Sequence, residues 1–230
     1  MLAAMSDRIT YALHDGVATI TLDDGKVNAL SPEMLAEISD ALDRAAADAA
    51  IVVLTGRERT FSAGFVLRSE DWQTMVGAGG RLAEQVMSFP SPVVVACNGN
   101  AIAMGALVLL SADIRIGVEG EHRIGLNEVA IGLTLPWFGI EIARHRLSRP
   151  YFDRCTVTGG LLGPEEALRA GFLDELVAPE RLRARTAEVV AALAGIDRAA
   201  HAATKLRVRE RALAGIRDGI ERIAGDGREW

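Results

Sequence analysis

At 230 residues, 50% hydrophobic and 24% charged, the chain is long enough to bury a sizeable core and too apolar to be disordered. Its net charge of -6 and pI near 5.3 argue against a nucleic-acid or anionic-membrane surface, because both need clustered Lys and Arg. The longest apolar run, residues 101–110, falls short of the roughly 18 residues of a spanning helix, and MLAAMSDRIT has no basic-then-apolar leader pattern, so the expected location is cytoplasmic.

Strand and helix signals alternate through the first part of the chain. Residues 9–13 and 17–22 alternate apolar and polar side chains around His14-Asp15-Gly16, predicting a hairpin. Ser31-Pro32-Glu33 supplies an N-cap, a proline at the first helical position and an early acid, opening a helix to about Ala50. The run 51–56, IVVLTG, is short, branched and glycine-ended, as a buried parallel strand is. Helical character follows at 80–88, a second buried strand at 92–96, an all-apolar buried helix at 101–111 and a further strand from Asp113 to Val118. Beyond Ala130 the pattern is mainly helical, with helices expected at 138–147, 151–157, 163–170, 179–194 and 199–214. Cys97 and Cys155 lack ligand-spaced partners, so both are expected to be reduced and buried, and no metal site is expected.

Two glycine turns follow the buried strands. In Thr60-Phe61-Ser62-Ala63-Gly64-Phe65-Val66-Leu67 a glycine between small residues lets main-chain N–H groups approach a ligand. The second, Asn98-Gly99-Asn100-Ala101-Ile102-Ala103-Met104-Gly105, runs into the buried helix, whose first N–H groups suit a developing negative charge. Turns at the ends of neighbouring strands can converge on one ligand. Ser62 lies outside any GxSxG elbow, and Gly77-Ala78-Gly79-Gly80 lacks a dinucleotide fingerprint, which disfavours those chemistries.

Four segments in order, VATITLDDGKVNALSPEML, RTFSAGFVLRSE, PVVVACNGNAIAMGALVLLSADIRIG and GPEEALRAGFLDELV, resemble the enoyl-CoA hydratase/isomerase (crotonase) family over nearly the whole chain. The resemblance implies an α/β fold, the crotonase (ClpP-like) spiral of ββα units with a helical C-terminal region. It divides the chain into a core with the acyl-CoA site at 1–170 and a helical region at 171–230 for trimerisation and a lid on the coenzyme A pocket. It further implies an acyl-CoA thioester as substrate, no separate cofactor, and assembly as a homotrimer or hexamer.

Carried over position by position, the resemblance puts oxyanion-hole amides on Phe65, after Gly64, and on Met104, before Gly105, where most members have glycine. One such donor is worth roughly 10²–10³ in rate. Acyl-CoA contacts fall on Val27, Ala29, Ala63, Val66, Leu67, Gly105, Pro136 and, for the coenzyme A phosphates, Lys205. Glu128, a lone carboxylate in the apolar stretch IGLNEVAIG, is the expected base, its pKa raised by burial.

Hydration in this family is associated with a second glutamate, whose position here is Leu107. One base beside an oxyanion hole instead suits Δ3,Δ2-enoyl-CoA isomerisation. Hydration, with water activated by Glu128 alone or with Glu141, and with Glu70 or Asp71 as other candidate second acids, is the alternative, and an acyl-CoA-binding protein without turnover is a third reading. The structural expectation is an Arg144 ion pair for Glu141, a strand anchor for Asp113, and packing or pocket walls for Trp72, Trp137 and Phe138.

Overall fold

The structure is a computed structural model in which residues 8–68 and 71–225 are described. Its first element is the expected hairpin. β1 (Ile9–His14) and β2 (Val17–Leu22) pair antiparallel from Ile9↔Leu22 to His14↔Val17. Asp15 and Gly16 between them have φ of 48° and 73°, the left-handed pair of a two-residue turn that matches strand twist.

After β3 (Ala29–Leu30), α1 (Pro32–Ala47) opens as anticipated: the Ser31 hydroxyl accepts from the Met34 amide, with Pro32 just inside. The helix ends short of Ala50 because Ala49 turns left-handed, at φ 48°, and the Ala50 amide donates back to the Ala45 carbonyl.

The chain then winds through β4 (Ile51–Thr55), β5 (Thr60–Ser62), β6 (Gly64–Phe65) and α2 (Trp72–Ser88). A second turn follows as β7 (Val93–Cys97), β8 (Asn100–Ile102) and α3 (Met104–Ser111). A third begins with β9 (Ile114–Val118) and β10 (Ile124–Gly125) and reaches α4 (Trp137–Arg146). Then come α5 (Arg149–Val157), α6 (Pro164–Ala170), β11 (Glu175–Val177), α7 (Leu182–Leu193) and α8 (Arg198–Gly225).

Among the described residues each turn places its first strand in a six-stranded sheet, ordered β1-β2-β4-β7-β9-β11, and its second in a three-stranded sheet, ordered β10-β8-β5. Both faces of the larger sheet are covered. Val52, Leu54, Val93, Val95 and Cys97 point into the main core, whereas Ile51, Val53, Val94 and Ala96 meet Val189 and Val190 of α7. Hence β4 and β7 read as unbroken apolar runs. Cys97 and Cys155 are free and buried.

Several boundaries differ from the sequence reading, each for a physical cause. α2 begins at Trp72 because the Asp71 carboxylate caps the Thr74 amide, and the internal glycines that weaken its helical pattern are held by packing. Ala101 and Ile102, expected to begin the buried helix, belong to β8, so α3 starts at Met104. β11, which follows residue 171, pairs with β9 and completes the large sheet. No described helix is long and apolar enough to cross a membrane.

Candidate active site

The three-stranded sheet explains how distant segments meet. β5, β8 and β10 run parallel, with Ser62 opposite Ala101 and Ala101 opposite Ile124. Three residues past that line stand Phe65 and Met104, and four past it stands Glu128. Parallel strands in one register deliver their next residues to the same end, so the two glycine turns and the lone carboxylate converge.

They open on an apolar cavity of about 530 Å³. Of the residues expected at the site, Val27, Ala29, Ala63, Phe65, Val66, Leu67, Glu128 and Pro136 line it. Trp72, Leu107, Leu133, Asn127 and Arg68 line it too. Among its described lining residues Glu128 is the sole carboxylate, and Leu107 stands where the second acid was sought.

Hydrogen bonds around the first turn fix its shape. The buried Asn28 side chain donates to the carbonyls of Leu22, at 2.9 Å, and Phe61, at 3.0 Å. Asp24 in turn accepts from the backbone amides of Lys26, Asn28 and Ala29. Ser62 Oγ donates to the Asn28 carbonyl at 2.7 Å and accepts from the Gly64 amide at 3.1 Å. Gly64 has a φ of 90°, and a Cβ there would meet Ala103 Cβ and the Ile102 carbonyl at 2.9 Å, so the position admits no side chain. The Val66 amide donates to Leu30 in the β3–β6 pairing, so the Phe65 amide, one residue earlier, faces the opposite side.

The second candidate amide lies alongside. A Cβ on Gly64 would be 3.3 Å from the Met104 nitrogen, placing that amide against the first turn. Met104 is the first residue of α3, whose first i→i−4 bond runs from Leu107 to Ala103, and no side chain caps the end. Its N–H therefore belongs to the unsatisfied donors of a helix N-terminus. Ala103 before it has φ 51° and ψ −124°, a strained conformation for a residue with a Cβ. The Ala103 amide donates to the Gly125 carbonyl at 2.9 Å, tying this turn to the strand that leads to Glu128.

Glu128 is 8% exposed, and its Oε2 finds no hydrogen-bond partner among the described residues. Burial in apolar surroundings pushes its carboxyl up to about 7. Asn127 Oδ1 beside it is likewise buried and unpartnered among those residues.

Three expectations need correction or refinement. Lys205 does not reach the cavity: its ammonium is buried, donating to the carbonyls of Phe89 and Ser91 and to Asp113, at 2.8, 2.9 and 2.6 Å. Lys205 and Arg209 form the inward face of α8, one helical turn apart, and both bind Asp113, which also accepts from the Val93 amide. Gly105 does not line the cavity either. A Cβ there would stand 2.5 Å from the Ser62 carbonyl, so its lack of side chain lets α3 pack against the first turn. Met104 contributes no lining side chain; its thioether is fully buried, leaving only its amide as a candidate group.

The remaining candidates separate cleanly. Glu141 pairs with Arg144 at 3.5 Å and packs against Gly215. Asp71 caps α2, while Glu70 lies outside the described residues. Trp137 is half exposed under the Arg222 guanidinium, and Phe138 is fully buried core. Asn28, Ser62 and Ala103 escaped sequence reasoning as supports of the site; the Asn-Ala-Leu segment was the available signal for the first.

Solved structures share this spiral. An enoyl-CoA hydratase/isomerase family protein from Pseudomonas syringae is 45% identical, with a TM-score of 0.94 over 97% of this chain and 99% of its own. A Mycobacterium tuberculosis protein, described in one structure as an enoyl-CoA isomerase and in another as a probable enoyl-CoA hydratase, is 43% identical in the first, at a TM-score of 0.92 over 96% of this chain and all of its own (100%). An enoyl-CoA hydratase of Mycobacterium marinum is 39% identical, at 0.90 over 95% and 98%. The protein thus has the crotonase fold. The family model described as Enoyl-CoA hydratase/isomerase matches residues 12–218, and the chain belongs to that family, which acts on acyl-CoA thioesters.

Proposed function

We propose that the protein is a Δ3,Δ2-enoyl-CoA isomerase. The observation that carries this reading is the presence of Glu128 and Leu107 in the lining of one mainly apolar cavity: one carboxylate, with leucine where a second acid would hold water. In the proposed reaction the Glu128 carboxylate takes a proton from C2 of a 3-enoyl-CoA. The electron pair moves onto the thioester oxygen, where the amides of Phe65 and Met104 donate to the enolate. Glu128, now protonated, returns the proton at C4 as the double bond shifts to C2–C3. Nothing else enters or leaves.

A carboxyl held at about 7 suits both halves of that cycle, since it gives up and accepts a proton with similar ease near neutrality. Hydration asks for more, namely a water held and activated opposite the base. Leu107 offers no polar atom, and Glu141 is engaged with Arg144 away from the lining.

The test is conversion of 3-enoyl-CoA to the conjugated 2-enoyl-CoA, followed by absorbance, with 2-enoyl-CoA supplied in parallel in H₂¹⁸O. Isomerisation without ¹⁸O uptake is the expected result. Rapid ¹⁸O incorporation into 3-hydroxyacyl-CoA would establish hydration in its place, and binding with neither reaction, nor solvent deuterium exchange at C2, would establish an inactive binder.

A further inference from the structure

The glycine run of α2 takes no part in the chemistry above, yet one of its members touches both donor turns. A Cβ built on Gly79 would stand 2.4 Å from Phe65 Cζ, 2.7 Å from Phe65 Cε1 and 3.2 Å from Met104 Sδ. The side chains of the two residues whose amides face the thioester oxygen therefore meet behind them, at a single glycine. Met104 is enclosed, and the Phe65 ring, which lines the cavity on one side, is braced on another. The Phe65 ring stands edge-on to Trp72 at 5.9 Å between centroids, and Met104 is 0% exposed. Each is also short of slack in its backbone, Phe65 within a two-residue strand paired to Leu30 and Met104 directly after the strained Ala103.

We propose that Gly79 is a positioning residue for the two backbone donors. Its missing Cβ seats the Phe65 ring and the Met104 thioether against α2, and that seating sets the spacing of the Phe65 and Met104 amides. The inference rests on those amides being the donors to the thioester oxygen.

The same helix carries its own control. A Cβ on Gly77 would meet only the tip of the Arg81 guanidinium, at 3.4 Å among its nearest atoms. Alanine is intrinsically favoured over glycine inside a helix, so any loss at Gly79 comes from what the added methyl touches.

The experiment compares Gly79→Ala and Gly77→Ala in the full chain by steady-state isomerisation of 3-enoyl-CoA. In parallel it records the ¹³C resonance of bound hexanoyl-CoA labelled at the thioester carbonyl, which reports polarisation of that carbonyl. Gly79→Ala is expected to lower kcat roughly 10- to 100-fold with KM within about 3-fold, the pattern of a misplaced transition-state donor. The carbonyl resonance should move back toward its position in free hexanoyl-CoA, while Gly77→Ala matches the unsubstituted protein in both readouts. In a Phe65→Leu background, which removes the Cζ atom but keeps the amide, adding Gly79→Ala should cost kcat less than about 3-fold, the coupling expected of residues in contact.

Wild-type kcat and carbonyl shift in Gly79→Ala, or an equal cost with Phe65 and with Leu at 65, would overturn the proposal. Should Gly79→Ala alone not fold, Phe65→Leu opposite the native glycine leaves a gap behind the donor and must weaken the carbonyl shift; an unaltered shift also overturns it. A carbonyl resonance that stays at its free position on binding the unsubstituted protein would instead overturn the donor assignment itself.

Discussion

Replacing Glu128 with Gln tests the buried base through stability as well as rate. The carboxyl lies at about 7 in the fold against an ordinary 4.5, and at 1.36 kcal/mol per unit its ionisation costs the folded state about 3 kcal/mol. The sign follows from the raised value. Below pH 4.5 the group is protonated in both folded and unfolded chains and the full stability is present. As pH rises the unfolded chain loses its proton first, so stability declines and the loss is complete once pH has passed about 7. Glutamine resembles the protonated acid and cannot ionise.

The stability of Glu128→Gln minus that of the parent should therefore grow by about 3 kcal/mol between pH 4 and pH 8, or ~1 M in urea midpoint for an m-value near 3 kcal/mol/M. Taking the difference removes every other titrating group from the comparison. Urea titrations across that range supply it. Over the same range the parent's kcat/KM should rise with pH and level off above about 7, while the variant loses roughly 10²–10⁴ in kcat. A difference in stability that stays flat with pH would refute the account of Glu128 as a desolvated carboxylate, whatever the kinetics show.

Three further changes probe its surroundings. Leu107→Glu puts a second carboxylate on the cavity wall; it should confer measurable ¹⁸O uptake into 3-hydroxyacyl-CoA while lowering stability by roughly 1–3 kcal/mol, because a charge enters a tight site beside Gly139. Lys205→Met leaves the carbonyls of Phe89 and Ser91 and part of Asp113 unmet, so unfolding free energy should fall by roughly 3 kcal/mol, yet KM for acyl-CoA should not change. An increase in KM at a temperature where the variant is folded would restore Lys205 as a ligand for coenzyme A. Ala103→Gly relieves the φ of 51° and should raise stability by about 1 kcal/mol in thermal unfolding, with kcat lowered several-fold because the Met104 amide is less firmly held.

Long elements and chemically loud residues were legible in the sequence, and short ones were not. The hairpin, the Ser31 cap and the buried strands β4 and β7 carry periodicity or capping chemistry over five residues or more. By contrast β5, β8 and β10 are two or three residues long, too short for a period, and the pairing of Ser62 with Ala101 and Ala101 with Ile124 is entirely long-range. That register places the site, which is why the resemblance could assign Phe65, Met104 and Glu128 before any local pattern could.

Lys205 shows the reverse. The resemblance places a coenzyme A contact there, but a helix turns through Lys205, Arg207, Arg209 and Arg211, sending Lys205 and Arg209 inward to Asp113 and leaving Arg207 and Arg211 exposed.

Two destabilising features border the cavity. The Glu128 carboxyl, held near 7 with an Oε2 that has no partner among the described residues, and Ala103 at positive φ each work against folding, by roughly 1–3 kcal/mol apiece. Rigid features support the surrounding elements. Asp24, Asn28 and Ser62 hold the first glycine turn by hydrogen bonds that tie residues 24–29 to residues 61–64, and the Asp113, Lys205 and Arg209 cluster, away from the cavity, fastens α8, which packs against α2 and α4. Strain persists only where neighbouring structure over-determines it. Because α2 also carries Gly79, against which the Phe65 and Met104 side chains pack, and Trp72, the docking of α8 and the packing behind the two glycine turns share one element, so the supports of the cavity reach beyond the residues that line it.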